Sequence, residues 1–204
     1  MKYEWRKQEK ELYFPKGVQE VTVPEQKYIV VNGIGNPNET DFQTHIHALY
    51  PIAYAIRMKL KKLGFEYTVY PLEGVWTTSD GSRDENLNKD ALVYRIMIRQ
   101  PDQVTEADFS EAMAQVLAKK ENPYFQDVEF VTFAEGLIVQ AIHIGPFDTE
   151  GETFAEIQQF LEEHGIHKTT TMGDYQHREI YLSDFRRAAP EKVKTLLRYR
   201  VTKD

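Results

Sequence analysis

Apolar residues change their spacing along the chain, and each change marks an element. From Phe42 onward Ile46, Leu49, Ala53, Ile56, Leu60 and Leu63 recur at three and four, which gathers them on one face of an α-helix. Pro51 falls inside that run. Because proline lacks an N–H and crowds the preceding turn, the helix is expected to bend or split near Ala48. Before it, Lys27-Tyr-Ile-Val-Val-Asn32 is β-branched and aromatic, and Gly33, Gly35 and Pro37 stop the strand. Asn38 or Thr40 is placed to cap the helix. Residues 65–72 and 91–99 read as strands, separated by the polar surface loop Ser79-Asp-Gly-Ser-Arg-Asp-Glu-Asn86. Thr105-Glu-Ala-Asp108 has the pattern of a capping box, and Phe109, Met113, Val116 and Leu117 give the helix after it an apolar face.

The opening pattern then returns. Leu137-Ile-Val-Gln-Ala-Ile-His-Ile-Gly145 echoes Lys27-Tyr-Ile-Val-Val-Asn-Gly-Ile-Gly35, and a second helical run follows it from Asp148 or Thr149. Phe154, Ile157 and Leu161 form its buried stripe, with Gly165 as the left-handed residue that ends it. A strand at 177–182, a helical turn opened by Pro190 and a strand at 197–201 complete the unit. The sequence thus predicts one α+β domain over residues 1–204, built of two pseudo-symmetric β-α-β-β halves with a ligand groove between them. Residues 26–102 form the first half, 103–136 a linking helix and connection, and 137–204 the second half. Residues 1–25 are a lead-in segment, helical at first, that lays Tyr13 and Phe14 on the domain.

Composition narrows the chemistry. A chain of 204 residues, 41% of them hydrophobic, can bury a sizeable core. The absence of cysteine excludes disulfides, thiolate zinc sites and a cysteine nucleophile. A formal charge of -7 with scattered basic residues argues against a nucleic-acid partner. The charged start Met1-Lys-Tyr-Glu-Trp-Arg-Lys7 carries no apolar signal core and no later run spans a bilayer, so a cytoplasmic protein without a membrane partner is expected. Gly33-Ile-Gly35 lacks the third glycine of a dinucleotide fingerprint, and Pro37 interrupts the helix start that would hold a pyrophosphate. His45 and His47, two apart on a helix, point to different faces and cannot chelate one metal. Asp80-Gly-Ser-Arg-Asp-Glu85 lacks calcium-loop spacing. No cofactor and no metal are expected.

His177-Arg-Glu-Ile-Tyr-Leu182 carries the candidate chemistry. Alternation turns Arg178, Ile180 and Leu182 one way and His177, Glu179 and Tyr181 the other. If helices cover the Ile180 face, Glu179 and Tyr181 look into the groove; otherwise they lie on the solvated face of an antiparallel sheet. Glu73 is a second carboxylate, on the opposite side of a regular strand from Trp76 unless Gly74 introduces a bulge. His143 reads first as a structural histidine and second as an acid/base or ligand contact.

Seven segments in register carry a resemblance: Leu12-Tyr-Phe-Pro-Lys16, Val21-Thr-Val-Pro24, Gly33-Ile-Gly-Asn-Pro-Asn38, Pro71-Leu-Glu-Gly-Val-Trp76, Ile98-Arg-Gln-Pro101, Gln140-Ala-Ile-His-Ile-Gly-Pro146 and Glu179-Ile-Tyr-Leu-Ser-Asp184. The chain resembles GyrI-like small-molecule-binding proteins of the stand-alone kind. The resemblance implies two β-α-β-β halves and a pocket between them. The family includes effector-binding domains of multidrug-responsive regulators, gyrase-inhibitory proteins, and members that hydrolyse cyclopropane-bearing genotoxins. Glu179 matches the family's strand carboxylate, which the resemblance makes a general base for water, with Tyr181 beside it to orient that water or donate a proton. Trp76, His143, Tyr13 and Phe14 join Glu179 and Tyr181 as expected ligand contacts. Thr77 and Thr78 stand where related members often carry a second aromatic. The expected partner is a hydrophobic or cationic aromatic small molecule. The alternative is a non-catalytic module that sequesters ligands or inhibits a protein partner such as gyrase.

Overall fold

The period-two stretches become one antiparallel sheet in the computed structural model, which describes residues 2–83, 86–185 and 187–203. Two short helices, α1 (Trp5–Gln8) and α2 (Lys10–Tyr13), precede β1 (Gln19–Ile34), α3 (Thr40–Lys62), β2 (Leu72–Thr78) and β3 (Leu92–Gln100). Then follow α4 (Glu106–Leu117), β4 (Glu129–Ile144), α5 (Glu150–His164), β5 (Ile166–Thr169), β6 (His177–Tyr181) and β7 (Lys194–Lys203). The strand order is β4-β1-β3-β2-β6-β7-β5, and a β4–β7 pairing closes the first six into a barrel. Pairing order β1-β3-β2 recurs as β4-β7-β6, and the two sets join along β1–β4 and β2–β6.

Closure gives every strand an inner and an outer face. Inside, the barrel is charged. Arg178 Nη1, fully buried, donates to the Tyr28 hydroxyl at 2.9 Å and lies 3.3 Å from Glu73 Oε2. Arg178 Nε is 3.2 Å from Glu135 Oε1, while Arg198 Nη1 donates to Glu135 Oε2 at 3.0 Å. Each charge is desolvated, which is tolerable only because each has a partner. Burial still raises the Glu73 pKa, with Arg178 opposing it, and pushes the Tyr28 hydroxyl up to about 12. The N-terminal helices pack against this interior. Arg99 pairs with Glu9 and donates to the Tyr13 hydroxyl at 3.2 Å; Arg198 Nη2 reaches the Leu12 carbonyl at 3.0 Å. Trp5 is buried there, 4.8 Å from the Tyr13 ring, and its indole donates to the Val69 carbonyl.

Outside, α3 buries Ile46, Leu49, Ala53 and Ile56 against the sheet. It runs through Pro51 without a split, and Glu39 precedes it without a side-chain cap, in place of the expected Asn38 or Thr40. Packing of its apolar face outweighs the one backbone bond that proline forfeits. Thr105 and Asp108 form a reciprocal capping box, and Gly165 ends α5 at φ 62°. The strand expected at 65–72 instead lies at Leu72–Thr78. The preceding stretch makes only a Tyr3–Tyr67 bridge, because Tyr67 and Tyr70 are buried against the N-terminal segment. β1 and β4 begin earlier than the expected 27 and 137, and β5 is an addition to the expected elements. Polar residues at the starts of these strands hide the alternation until pairing partners cover them. Within the 79–86 loop, Asp84 and Glu85 lie outside the described residues. Among the described residues, no helix is long and apolar enough to cross a membrane.

Candidate functional site

The outer face of the β2–β6 seam holds the candidate site. Antiparallel register sets Gly74 opposite Glu179 and Trp76 opposite His177. On β6, His177, Glu179 and Tyr181 share this face, as alternation requires. The Tyr181 hydroxyl donates to Glu179 Oε2 at 2.8 Å, and His177 Nε2 lies 2.9 Å from Oε1. Helices cover this face and not the Ile180 face, which reverses the condition expected from the sequence. The Ile180 side is already enclosed by barrel closure, so α3 and α5 are left to flank Glu179.

Aromatic rings form the walls. On one side Trp76 lies 5.2 Å from Tyr94 and 5.7 Å from Phe42 of α3. On the other, Phe154 of α5 meets His177 edge-on at 5.0 Å and Tyr199 at 5.4 Å. Phe147 and Phe185 pack on Tyr181 at 6.0 and 5.6 Å, with Phe147 half exposed at the rim. Gly74 shapes the floor: a Cβ there would fall 2.8 Å from Trp76 Nε1 and 3.4 Å from the Tyr181 hydroxyl. The indole N–H is near enough to that hydroxyl to favour its ionised form slightly, yet it makes no hydrogen bond of good geometry.

Glu150, the first residue of α5, is a second carboxyl at this site. Loss of solvation, then the charge of Glu179, push its pKa up to about 10, with the Thr195 hydroxyl opposing. Burial beside Glu179 thus favours the neutral form of the Glu150 carboxyl. Burial and the same carboxylate hold the Tyr181 hydroxyl protonated, well above its ordinary range.

Of the residues singled out from sequence, Trp76, Glu179 and Tyr181 come together here. His143 sits one layer back. Its Nδ1 lies 2.9 Å from Thr153 Oγ1, and its Nε2 is 3.0 Å from Thr149 Oγ1 and 3.1 Å from the Pro146 carbonyl, so it ties down the turn that delivers Glu150. Tyr13 and Phe14 are placed elsewhere, with Trp5 in the N-terminal cluster. Glu73 is inside the barrel with Arg178; the strand stays regular at Gly74. Glu150, Phe42 and Tyr94 are site residues that sequence reasoning misses. A glutamate in a first helical turn is usually an exposed partner of the helix dipole, so nothing in the local sequence distinguishes Glu150. Among the described residues, no group of three His, Asp or Glu side chains is arranged to hold a metal.

The barrel thus carries, on its outer face, a carboxylate set among aromatic rings. Residues 17–201 match the GyrI-like small molecule binding domain, and the chain belongs to that family. It is similar to an uncharacterized conserved protein from Listeria innocua at 38% identity and TM-score 0.90, covering 98% of this chain and all of that one. Two further structures from Listeria innocua are called hydrolases. One has 38% identity and TM-score 0.87, over 99% of this chain and 100% of the other. The second has 36% identity and TM-score 0.85, over 98% and 100%. No curated protein matches the chain.

Proposed function

We propose that this chain is a hydrolase that captures a flat, hydrophobic electrophile between the two aromatic walls and opens an activated cyclopropane with water. In this reading the repeated pairing order reflects two pseudo-symmetric β-α-β-β halves that meet at the groove. The protein is a cytoplasmic detoxifying enzyme. Glu179 takes a proton from water as the water oxygen bonds to a ring methylene. The strained C–C bond breaks, and its electron pair moves through the conjugated system to a carbonyl oxygen, which gains a proton from Glu150, while the Tyr181 hydroxyl stays bonded to Glu179 and orients that base and its water. Low local polarity strengthens each of these interactions. No step needs a metal.

The observation that carries this reading is the Glu179 carboxylate, engaged by His177 Nε2 at one oxygen and by the Tyr181 hydroxyl at the other, with the buried Glu150 carboxyl beside it pushed toward its neutral form. A carboxyl that burial keeps toward its neutral form can serve as an acid next to a base. Hydrolase names on two relatives at 36% and 38% identity support it. The test incubates the protein, Glu179→Gln and Glu150→Gln with an aromatic-fused spirocyclopropyl cyclohexadienone and identifies products by mass spectrometry. Catalytic formation of the hydroxyethyl phenol, reduced about 10²-fold or more in each variant, is expected. Saturable binding of unchanged compound would replace this reading with a sequestering module for neutral or cationic aromatic ligands.

A further inference from the structure

We infer that His177 is the positioning residue for Glu179, setting the direction in which that carboxylate meets its water. This rests on the hydrolase reading and adds a residue to it. A glutamate side chain has three rotatable bonds and a carboxyl that turns freely. Here the two residues two positions away on the same strand each engage one oxygen: His177 Nε2 at 2.9 Å from Oε1 and the Tyr181 hydroxyl at 2.8 Å from Oε2. Two donors on two oxygens fix the carboxylate plane and leave a defined lone pair toward the groove.

The imidazole is itself fixed. Phe154 meets it at 5.0 Å and 74°, and Tyr199 at 6.2 Å and 64°. Its backbone is in register with Trp76, and the preceding Gln176 N–H donates to the Trp76 carbonyl at 2.8 Å. Lys168 lies over the Tyr199 ring at 4.2 Å and steadies that flank. With rings against it and Nε2 committed to Glu179, His177 acts through the carboxylate and not on substrate. A base must be held within hydrogen-bond reach and in the right orientation, and displacement of about 1 Å costs on the order of 10²-fold in rate.

Two variants separate positioning from other roles, with the spirocyclopropyl dienone as substrate. His177→Phe keeps the ring packing and removes the donor; kcat should fall about tenfold to a hundredfold with KM nearly unchanged. His177→Gln restores an N–H where Nε2 stood, and kcat should recover most of that loss. Circular dichroism of both variants checks that the barrel is intact. A His177→Phe enzyme with parental kcat overturns the inference. So does a His177→Gln enzyme as slow as His177→Phe, which would give the imidazole a role that a replaced N–H cannot fill. A parent that leaves the substrate unconverted overturns the hydrolase reading and this inference together, whereas a hydrolysing parent with an unaffected His177→Phe variant overturns this inference alone.

Discussion

At the scale of single residues, the smallest side chain in the groove constrains it most. Gly74 leaves room for the Trp76 indole to lie across the strand toward Tyr181. In Gly74→Ala the added methyl must displace a buried ring, and overpacking of that kind costs about 1–3 kcal/mol. Chemical denaturation is expected to show that loss, together with weaker ligand binding, while a substitution at the exposed Gly151, where a Cβ meets nothing within 4 Å, should leave binding unchanged. Glu179, Tyr181 and Trp76 are legible from alternation and from the family resemblance. Glu150 is not, because its character comes from burial beside another carboxylate, a relation between two distant parts of the chain. Phe42 and Tyr94 look like ordinary helix and strand residues for the same reason: nothing local says which apolar ring will line an opening.

At the scale of elements, β6 shows what patterning can and cannot tell. Its alternation is legible, and it separates the site triad from Arg178 and Ile180 as expected. What each side meets depends on topology, and barrel closure puts the polar Arg178 inside and the helices over Glu179. Arg178 is the hinge of that arrangement, bridging Tyr28 of β1, Glu73 of β2 and Glu135 of β4. Arg178→Met leaves two buried carboxyl groups short of a cation, and thermal or urea unfolding is expected to show a loss of about 3–5 kcal/mol. Helices α3, α4 and α5 are legible because a long 3.6-residue period is hard to imitate. The strand expected at 65–72 is misplaced by sequence because Phe65 and Tyr70 have strand composition but commit their rings to Tyr3 and Trp5, while the Tyr67 backbone is spent on a bridge to Tyr3.

At the scale of the whole molecule, a buried neutral carboxyl makes stability depend on pH. Burial, then the charge of Glu179, push the folded Glu150 pKa up to about 10 from an ordinary value of 4.5. Between those values the unfolded chain holds fewer protons at this position than the native one, so this group's contribution to stability is full below pH 4.5 and declines as pH rises. Unfolding free energies measured across that range are expected to slope downward in the parent and to flatten in Glu150→Gln, which also becomes the more stable protein at about pH 8. The candidate site itself lies across β2 and β6, strands drawn from opposite halves of the sequence and joined by four register pairs. Any compound seated there touches both, and so acts as a clasp on the closed barrel. Occupancy then raises resistance to heat, denaturant and proteolysis by an amount fixed by its concentration relative to its dissociation constant, and a melting-temperature screen of unrelated aromatics would report the natural ligand before any reaction is known.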